Sequence, residues 1–281
     1  MKVQFTKMHG LGNDFVILDN RNSRIRNLKK LAIKLCERRF GVGADQLLVL
    51  RNSRKADFRM QIINSDGSEV EMCGNGIRCL AKYIWDNNIK SQSPQATRRG
   101  GKLTIETLAG IICPEKSGSQ IKVDMGEPLI EGRDIPVRID GIVINHPLIV
   151  KGATFRITCV SMGNPHTVIL TGNTDRAPVD TIGPVIERHR LFPHRTNVEF
   201  IQILNRKNIR MRVWERGAGE TLACGTGASA AAVASSLLGL TDRKVSIHLK
   251  GGKLLINWSE KDNRVYMTGP AVKVFEGFIE V

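Results

Sequence analysis

The sequence predicts an α+β protein of two similar domains, each an antiparallel, partly closed sheet around a central helix. Short stretches in which apolar and polar residues alternate recur along the chain, and such stretches are typical of half-buried strands. Segment 228–240 has small, apolar residues on nearly all sides, which is typical of a buried helix. Segment 77–85 is its counterpart in the first half but contains more polar and charged residues. The chain also matches itself at one fixed offset, which indicates that one domain occurs twice.

The repeat is clearest in a Cys-Gly-x-Gly motif that begins at Cys73 and again at Cys224, 151 positions later (224 − 73). The same offset places Gly12-Asn13 on Gly163-Asn164 and Gln46 on Asn197. The matches extend over about ninety residues, which is more than chance similarity between short motifs would give. We therefore expect the two cysteine motifs to occupy equivalent places in the two domains.

The domain boundaries follow from the repeat and from Gly-Pro stretches near the seams. We predict a first domain of residues 1–125 plus 270–281 and a second domain of residues 126–269. Domains of this size can each bury a core of ordinary extent.

The individual elements are predicted from their patterns. Alternation predicts strands over roughly 3–8, 14–19, 46–50, 58–63, 102–107 and 120–125, and then over 154–161, 167–171, 197–204, 209–215, 244–249, 253–258 and 264–268. Segment 27–39 places Leu28, Leu31, Ala32, Leu35 and Cys36 on one face and predicts an amphipathic helix. The segments after Cys73 and Cys224 predict the two central helices.

Composition limits the partners and the compartment. The net charge of +15 admits nucleic acid, but the basic residues are scattered and aromatic residues make up only 5%. A solvated basic surface, or steering of an anionic substrate, is favoured instead. No apolar run reaches the roughly 18 residues of a membrane helix, and the start of the sequence lacks a signal-peptide pattern. We predict a cytoplasmic protein with reduced cysteines and neither a membrane nor a nucleic-acid partner.

The Cys-Gly-x-Gly motif predicts an acid–base site. Its glycines allow a tight turn before a helix, and the first amides of a helix attract a carboxylate or a thiolate. A cysteine there is expected to have a lowered pKa and to act as a base. A single such cysteine is more often a small buried residue, but its recurrence at the repeat offset favours function. The other cysteines, which have no repeat partner, are predicted to be core residues: Cys36, Cys79, Cys113 and Cys159.

Two such helix ends facing each other across a domain cleft would hold one carboxylate between two thiols. One thiolate could then remove a proton from the α-carbon while the opposite thiol delivers another, which inverts the stereocentre. No lysine-centred pyridoxal site is identifiable, and we predict neither a cofactor nor a metal.

At this point the residues resemble a known family. The matching stretches are Lys7–Phe15, Gly41–Gln46, Asn64–Glu69, Cys73–Cys79, Ser161–His166, Asn197, Glu215–Thr221, Cys224–Gly227 and Tyr266–Ala271. Together they resemble diaminopimelate epimerase, a cofactor-independent enzyme of lysine and peptidoglycan precursor synthesis, over the whole length. The resemblance implies two similar domains with the site in the cleft, an amino-acid substrate and a homodimer.

The resemblance also implies residue roles. Cys73 and Cys224 would be the acid–base pair, supported in proton transfer by His166 and Glu215. The amides of Gly74, Asn75, Gly225 and Thr226 would hold the reacting carboxylate. The amino groups and the distal carboxylate would be held by Asn13, Gln46, Asn64, Asn164, Asn197, Glu215 and Arg216. Tyr266 would belong to the dimer interface, although an ordinary sheet tyrosine is an equal alternative.

The repeat itself indicates where the substrate's two ends are distinguished. His166 falls on Phe15, Glu215 on Asn64, and Arg216 on Ser65, so these polar groups exist only in the second copy. Three alternatives stay open on the residues alone. The first is a relative of the same fold that acts on proline or hydroxyproline, or that carries out isomerase chemistry without two cysteines. The second is a redox or metal site using Cys73 and Cys79, although their spacing fits no common metal motif. The third is a nucleic-acid-binding module.

Overall fold

The computed structural model describes residues 2–94, 96 and 100–280, so the outermost residues of the predicted first domain, Met1 and Val281, lie outside the described chain. The described residues form two compact units. The first unit runs to Val123 and resumes at Gly269, and the second unit is Asp124–Thr268.

The first part of the chain forms short strands and two helices. The strands are β1 Lys2–Gly10, β2 Asn13–Asp19, β3 Gln46–Arg51, β4 Phe58–Asn64, β5 Glu69–Val70, β6 Ile105–Thr107, β7 Gly110–Ile112, β8 Glu115–Ser117 and β9 Gln120–Asp124. The helices are α1 Leu28–Cys36 and α2 Gly74–Asp86. Strands β8 and β9 pair with each other as an antiparallel hairpin.

The second unit has the same kinds of element. Its strands are β10 His146–Val150, β11 Ala153–Ser161, β12 Pro165–Leu170, β13 Asn197–Asn205, β14 Asn208–Glu215, β15 Gly219–Thr221, β16 Lys244–Leu249, β17 Gly252–Trp258 and β18 Val265–Gly269. Its helices are α3 Val179–Glu187 and α4 Gly225–Leu237, with short 3-10 helices at Gly132–Asp134 and Thr174–Arg176. The chain then returns to the first unit and forms β19, Val272–Glu280.

The strand orders of the two units repeat one another. In the first unit the order is β19-β1-β2-β3-β4-β6-β7, with β5 beside β4. In the second unit it is β10-β11-β12-β13-β14-β16-β17-β18, with β15 beside β14. Each strand from β1 to β7 thus corresponds to one strand from β11 to β17. Helices α1 and α2 correspond in the same way to α3 and α4. The predicted two-domain α+β fold with an internal repeat is confirmed.

The sheets differ from the prediction in two respects. They are mixed rather than wholly antiparallel, because β2–β3, β4–β6, β12–β13 and β14–β16 are parallel pairs. Each of these pairs is separated in sequence by a helix, and a parallel pair needs such a crossover connection. Among the described strands, neither order closes on itself, so the expected partial closure is also corrected.

The central helices pack where the repeat predicted them. Helix α2 contacts β1, β2 and β3, and α4 contacts β11, β12, β13, β16 and β17. The alanines of α4 are buried on all sides, which explains why this segment lacks a polar face. Each unit therefore presents the first turn of one buried helix beside the ends of its central strands. Among the helices that the structure describes, none is long and apolar enough to cross a membrane.

Candidate active site

The first half-site lies where α2 begins, and Cys73 caps this helix. Its backbone is extended, with φ −142° and ψ 110°, and its Sγ accepts a hydrogen bond from the amide of Gly76 at 3.4 Å. Gly74 is the first helical residue, as the motif predicted. The first amides of a helix have no partner within it and attract negative charge. The sulfur of Cys73 is thus held against a local positive potential.

Asn13 follows the turn between β1 and β2, and its side chain forms hydrogen bonds at the start of α2. The turn before it contains Gly12 at φ 86°, a left-handed conformation that glycine adopts without a Cβ clash. The Asn13 Oδ1 atom accepts hydrogen bonds from Cys73 Sγ at 3.6 Å and from Asn75 Nδ2 at 3.2 Å. Its amide nitrogen donates to Asp45 Oδ2 at 2.8 Å. The structure therefore brings Asn13, Cys73 and Asn75 together.

Gln46 and Asn64 form a second polar pair in this unit. They lie opposite each other on β3 and β4, and Gln46 Nε2 donates to Asn64 Oδ1 at 2.9 Å. The Gln46 Oε1 atom is buried and has no hydrogen-bond partner among the described residues. A buried acceptor without a partner is costly, so this oxygen is suited to receive a donor such as an amino group.

The second half-site repeats the first at the beginning of α4. Cys224 caps this helix with φ −121° and ψ 118°, and its Sγ accepts from the amide of Gly227 at 3.3 Å. Gly225 is the first helical residue, and the Thr226 hydroxyl lies 3.4 Å from the Cys224 sulfur. The turn that leads to Asn164 contains Gly163 at φ 89°, the equivalent of Gly12. The local geometry around both cysteines is therefore the same.

The neighbours of Cys224 differ from those of Cys73. The half-buried Glu215 lies beside Cys224 and accepts a hydrogen bond from the Thr221 hydroxyl. Burial raises the pKa of the Glu215 carboxyl, and the neighbouring Thr221 and Cys224 side chains oppose the rise. The pKa of the Cys224 thiol is raised well above its usual range, first by burial and then by the charges of Glu215 and Glu199.

The lowered pKa expected from the helix start is therefore wrong for Cys224. The Gly227 amide and the Thr226 hydroxyl do favour its thiolate, but burial and two nearby carboxylates outweigh them. At neutral pH this residue is a thiol, which is the form that can donate a proton.

His166 lies in the interior of the second unit, with none of its side chain exposed. Its Nδ1 is 2.7 Å from Glu199 Oε1, and its Nε2 is 2.9 Å from Asn164 Oδ1. Asn164 Nδ2 in turn donates to the Thr226 hydroxyl at 3.4 Å. The structure thus links Glu199, His166, Asn164 and Thr226 by hydrogen bonds that end beside Cys224.

Asn197 and Arg216 form the outer part of this half-site. Asn197 is buried, donates to the carbonyl of Pro165 at 2.8 Å, and accepts from the backbone amide of Arg216 at 2.9 Å. The Arg216 side chain is exposed, and its Nη1 donates to the carbonyl of His194 at 3.0 Å. Among the described residues no carboxylate forms an ion pair with this guanidinium.

The predicted site residues thus fall into two clusters, one within each unit. Asn13, Gln46, Asn64, Cys73, Gly74 and Asn75 belong to the first, and Asn164, His166, Asn197, Glu215, Arg216, Cys224, Gly225 and Thr226 belong to the second. Tyr266 lies half-buried on β18, and its hydroxyl donates to Asp262 Oδ2 at 2.7 Å. Cys36, Cys79 and Cys159 are buried, as predicted for core residues, and Cys113 is partly buried.

Two residues of these clusters were not predicted from the sequence. Arg78 is completely buried in α2 and donates to the carbonyl of Gly74 at 3.1 Å and to Asn75 Oδ1 at 2.8 Å. Glu199 is completely buried on β13 beside His166. The repeat held a signal for both, because Arg78 falls on Ser229 and Glu199 falls on Leu48. A charged residue in one copy that corresponds to a small or apolar residue in the other copy breaks the symmetry of the repeat.

The clusters are not arranged as a metal site. Within residues 2–94, 96 and 100–280, no group of three or more His, Cys, Asp or Glu side chains is placed to hold a metal ion.

Solved structures define the class of fold. The chain has a TM-score of 0.72 to a PhzF-family phenazine biosynthesis protein from Bacillus anthracis, at 17% identity and covering 100% of both chains. It has a TM-score of 0.68 to a hydroxyproline epimerase from Agrobacterium vitis, at 13% identity, covering 99% of this chain and 91% of that one. The fold is thus the two-domain α+β fold that these proteins share.

Sequence relatives define the family. The family model for diaminopimelate epimerase matches residues 5–130 and 158–274. A diaminopimelate epimerase from Moorella thermoacetica is 54% identical, covering 98% of this chain and 98% of the relative, and another from Carboxydothermus hydrogenoformans is 51% identical with the same coverage. The chain belongs to the diaminopimelate epimerase family, and it is an isomerase of the amino-acid epimerase class.

Proposed function

We propose that this enzyme epimerises LL-2,6-diaminopimelate to meso-diaminopimelate by a two-cysteine mechanism without a cofactor. Family membership and the relatives named diaminopimelate epimerase support the substrate. One structural observation carries the mechanism: each unit places a cysteine at the N-cap of its buried helix. Two equivalent proton-transfer groups suit a reaction that inverts a stereocentre.

In this proposal the two half-sites act on one α-carbon. The helix N-termini at Gly74-Asn75 and Gly225-Thr226 hold the reacting carboxylate through backbone amides, since such ends attract anions. One cysteine removes the α-proton as a thiolate, and the other delivers a proton as a thiol. The raised pKa of Cys224 supports its role as the proton donor of the resting enzyme, which leaves Cys73 as the base.

Glu215 and His166 support the proton transfers. Glu215 lies beside Cys224, so it is placed to return a proton to that sulfur after turnover. His166 is linked to Thr226 through Asn164. Both are absent from the first unit, where Asn64 and Phe15 occupy the equivalent positions. The second unit therefore supplies the groups that exchange protons with the thiols.

The polar residues around the helix ends recognise the rest of the substrate. Gln46 offers a buried oxygen acceptor, and we assign it, with Asn13, Asn64, Asn164 and Asn197, to the amino groups and carboxylates of the substrate. Arg216 is assigned to the distal carboxylate because its guanidinium is exposed and pairs with no described carboxylate. The reaction would serve lysine and peptidoglycan precursor synthesis in the cytoplasm.

Deuterium incorporation tests this proposal. We expect the enzyme to form meso-diaminopimelate in D₂O with no added cofactor, and the product to carry deuterium at the inverted carbon. At low conversion the recovered LL substrate should remain largely unlabelled, because different groups remove and deliver the proton. Mass spectrometry and ¹H NMR of both diastereomers would measure this. Activity only after addition of pyridoxal phosphate would contradict the mechanism, and turnover of L-proline instead would contradict the substrate.

The homodimer is a further part of the proposal, with Tyr266 at its interface. A tyrosine offers a large flat ring and one polar tip, and such residues often dominate interface energies. We expect a dimer at micromolar concentration, and we expect Tyr266→Ala to raise the dissociation constant by about 10-fold or more. Sedimentation velocity over a concentration series would measure the equilibrium.

The control for this prediction is Tyr266→Phe. It keeps the ring but removes the hydroxyl that donates to Asp262, so it should leave the dimer largely intact if the ring is the anchor. An unchanged monomer–dimer equilibrium in Tyr266→Ala would place the interface elsewhere.

A further inference from the structure

The last residue of α3, Glu187, places an acidic side chain in the interior of the second unit. Only 1% of this residue is exposed, and the mechanism proposed above does not use it. Its Oε2 atom accepts a hydrogen bond from Trp214 Nε1 at 2.8 Å, and its Oε1 atom accepts one from the backbone amide of Gly217 at 3.1 Å. Each carboxyl oxygen is thus satisfied by a separate N–H group, as buried polar groups usually are.

These two donors lie on either side of Arg216 along the chain. Trp214 is near the end of β14, and Gly217 belongs to the turn that joins β14 to β15. Residues 215–218 form a tight turn, closed by a backbone hydrogen bond of 3.1 Å between its first and last residues. Arg216 is second in this turn and Gly217 is third, with φ 76°, a conformation that favours glycine. Glu187 therefore holds the chain both before and after Arg216.

Glu187 also holds the segment that contacts the Arg216 guanidinium. The carbonyl of His194 accepts a hydrogen bond from Arg216 Nη1 at 3.0 Å. The amide of Thr196 donates to the backbone carbonyl of Glu187 at 3.2 Å, and Arg195 Nη1 lies 3.6 Å from Glu187 Oε1. The backbone of Arg216 and the acceptor of its side chain are thus both held by contacts to one residue.

The first unit has an apolar residue at the place of this carboxyl. The repeat offset puts Glu187 on Cys36 (187 − 151 = 36) and puts its tryptophan partner on Ile63 (214 − 151 = 63). Cys36 likewise ends its helix, α1, and both of these residues are buried. In that unit Ser65 stands where the second unit has Arg216. The buried carboxyl therefore occurs in the copy whose turn carries the guanidinium, while the same helix–strand arrangement forms without it in the other copy.

We propose that Glu187 is a positioning residue of the epimerase, which fixes the turn at Arg216 so that the guanidinium is in place to bind the distal carboxylate of the substrate. This inference deepens the proposed function and rests on its assignment of Arg216. A long, exposed side chain loses conformational freedom when it binds a ligand, and fixing its backbone and its contact to His194 beforehand reduces that loss. In this role Glu187 acts through Arg216 and not on the substrate.

The contacts of Glu187 can be measured without substrate. The sequence has three tryptophans, so in ¹⁵N-labelled enzyme the indole N–H signal of Trp214 is identified by its absence in Trp214→Phe. Glu187→Gln keeps the shape of the side chain but has one acceptor oxygen instead of two. Either Trp214 Nε1 or the Gly217 amide must then face an NH₂ group, which cannot accept its hydrogen bond. We expect at least one of these two signals to shift, with most of the spectrum unchanged.

Kinetics test whether this positioning serves substrate recognition. Glu187→Gln should raise KM for diaminopimelate by about 5- to 30-fold and change kcat by less than about 3-fold, because a misplaced Arg216 weakens binding in the ground state and the transition state alike. In an Arg216→Ala background, Glu187→Gln should have little further effect on KM, because Glu187 acts through the guanidinium. Lysine, which lacks the distal carboxylate, should inhibit wild type and Glu187→Gln with nearly the same inhibition constant.

Glu220→Gln is the matched control for these measurements. Glu220 lies on β15, in the same hairpin as the turn, but its carboxylate pairs with Arg212 and Lys250. Because these ion pairs are partly exposed, their loss should change the stability only slightly. We expect KM for diaminopimelate to stay within about 2-fold of the wild-type value.

The outcomes separate this inference from the proposed function. A wild-type enzyme that does not turn over diaminopimelate would contradict the function, whatever the Trp214 signal shows. In an active enzyme, a KM that Glu187→Gln leaves unchanged would overturn the positioning role. A fall in kcat alone would overturn it as well, since the carboxyl would then act on the neighbouring Glu215.

The double variant gives an independent decision. Effects of Glu187→Gln and Arg216→Ala on KM that simply multiply would overturn the inference, because the carboxyl would then act on binding without the guanidinium. Should Glu187→Gln not fold, the same kinetic comparisons on Trp214→Phe, which removes one of the two donors to Glu187, decide the question.

Discussion

Replacing either Cys73 or Cys224 by alanine should lower kcat for diaminopimelate by about 10³-fold or more while the fold persists. Each cysteine caps a central helix with its sulfur, and in the proposed mechanism one removes the proton that the other replaces. The double variant should be about as inactive as either single variant, because residues that act as a unit are not additive. Stopped assays of diastereomer composition would measure the three rates.

The chain offers matched controls for this prediction. Cys79 lies in α2, the helix that Cys73 caps, and Cys159 lies in the second unit. Burial raises the pKa of each of these two thiols to about 12. Alanine at either position should leave epimerisation near the wild-type rate. Circular dichroism of all variants would confirm that each is folded. Full activity in Cys73→Ala or in Cys224→Ala would disprove the two-base mechanism.

Arg216→Ala should lower kcat/KM for diaminopimelate by about 30- to 1,000-fold. The exposed guanidinium has no carboxylate partner among the described residues, and its planar fork suits a bidentate carboxylate. Loss of such a desolvated, charge-assisted contact costs roughly 2–4 kcal/mol. Arg216→Lys keeps the charge but not the fork and should fall between the wild type and Arg216→Ala.

Two comparisons show whether Arg216 recognises the distal carboxylate. Arg206→Ala removes another exposed guanidinium of the second unit, one that pairs with Asp242, and should leave kcat/KM unchanged. Lysine keeps the distal amine but lacks the distal carboxylate, so Arg216→Ala should hardly change any residual turnover of lysine. Equal losses for lysine and diaminopimelate would contradict the assignment.

The fold was predictable where local pattern and repeat agreed. The alternating stretches identified most of the long strands, and the small apolar segment after Cys224 identified α4. Helix α3 was missed because Gly183 and Pro184 interrupt its pattern. The structure shows why glycine is there: a Cβ at Gly183 would lie 2.7 Å from Trp214. Close packing between elements distant in sequence is not visible in a local pattern.

Sheet direction was not predictable from strand patterns. The alternation along β12 and β13 predicts strands but says nothing about their relative direction. They are parallel because α3 returns the chain to the same end of the sheet, and α3 was not recognised in the sequence. The parallel pairs β2–β3, β4–β6 and β14–β16 were missed although their connecting helices α1, α2 and α4 were predicted, because a helix between two strands does not show by itself that the strands are neighbours in the sheet.

The candidate site was predictable where the chemistry was marked by the repeat. Cys73 and Cys224 were proposed because both copies keep them, and His166 and Glu215 were proposed from the resemblance to the diaminopimelate epimerases and because only one copy has them. Glu199 was missed although it breaks the symmetry in the same way, since a glutamate within a strand is ordinarily read as solvent-facing. Its burial against His166 depends on the register of β12 and β13, which the sequence does not reveal.

The ionisation of Cys224 was likewise beyond the sequence. A helix start favours a thiolate, and that local rule is what the motif displays. The opposing contributions come from burial and from carboxylates on β13 and β14, two strands outside the motif. Local rules of this kind fail where other elements of the fold bring like charges together in the interior.

During biosynthesis the sheet of the first unit stays incomplete until the chain has returned to that unit and formed β19. Strand β19 pairs with β1 along its length, from Lys2 opposite Glu280 to His9 opposite Val272. A ribosome releases the residues of β1 before those of the second unit and of β19, so β1 has one unpaired edge while the second unit emerges. Exposed strand edges invite pairing with other chains. The nascent protein therefore exposes this edge of β1 until β19 has emerged, and during that interval it is prone to aggregation.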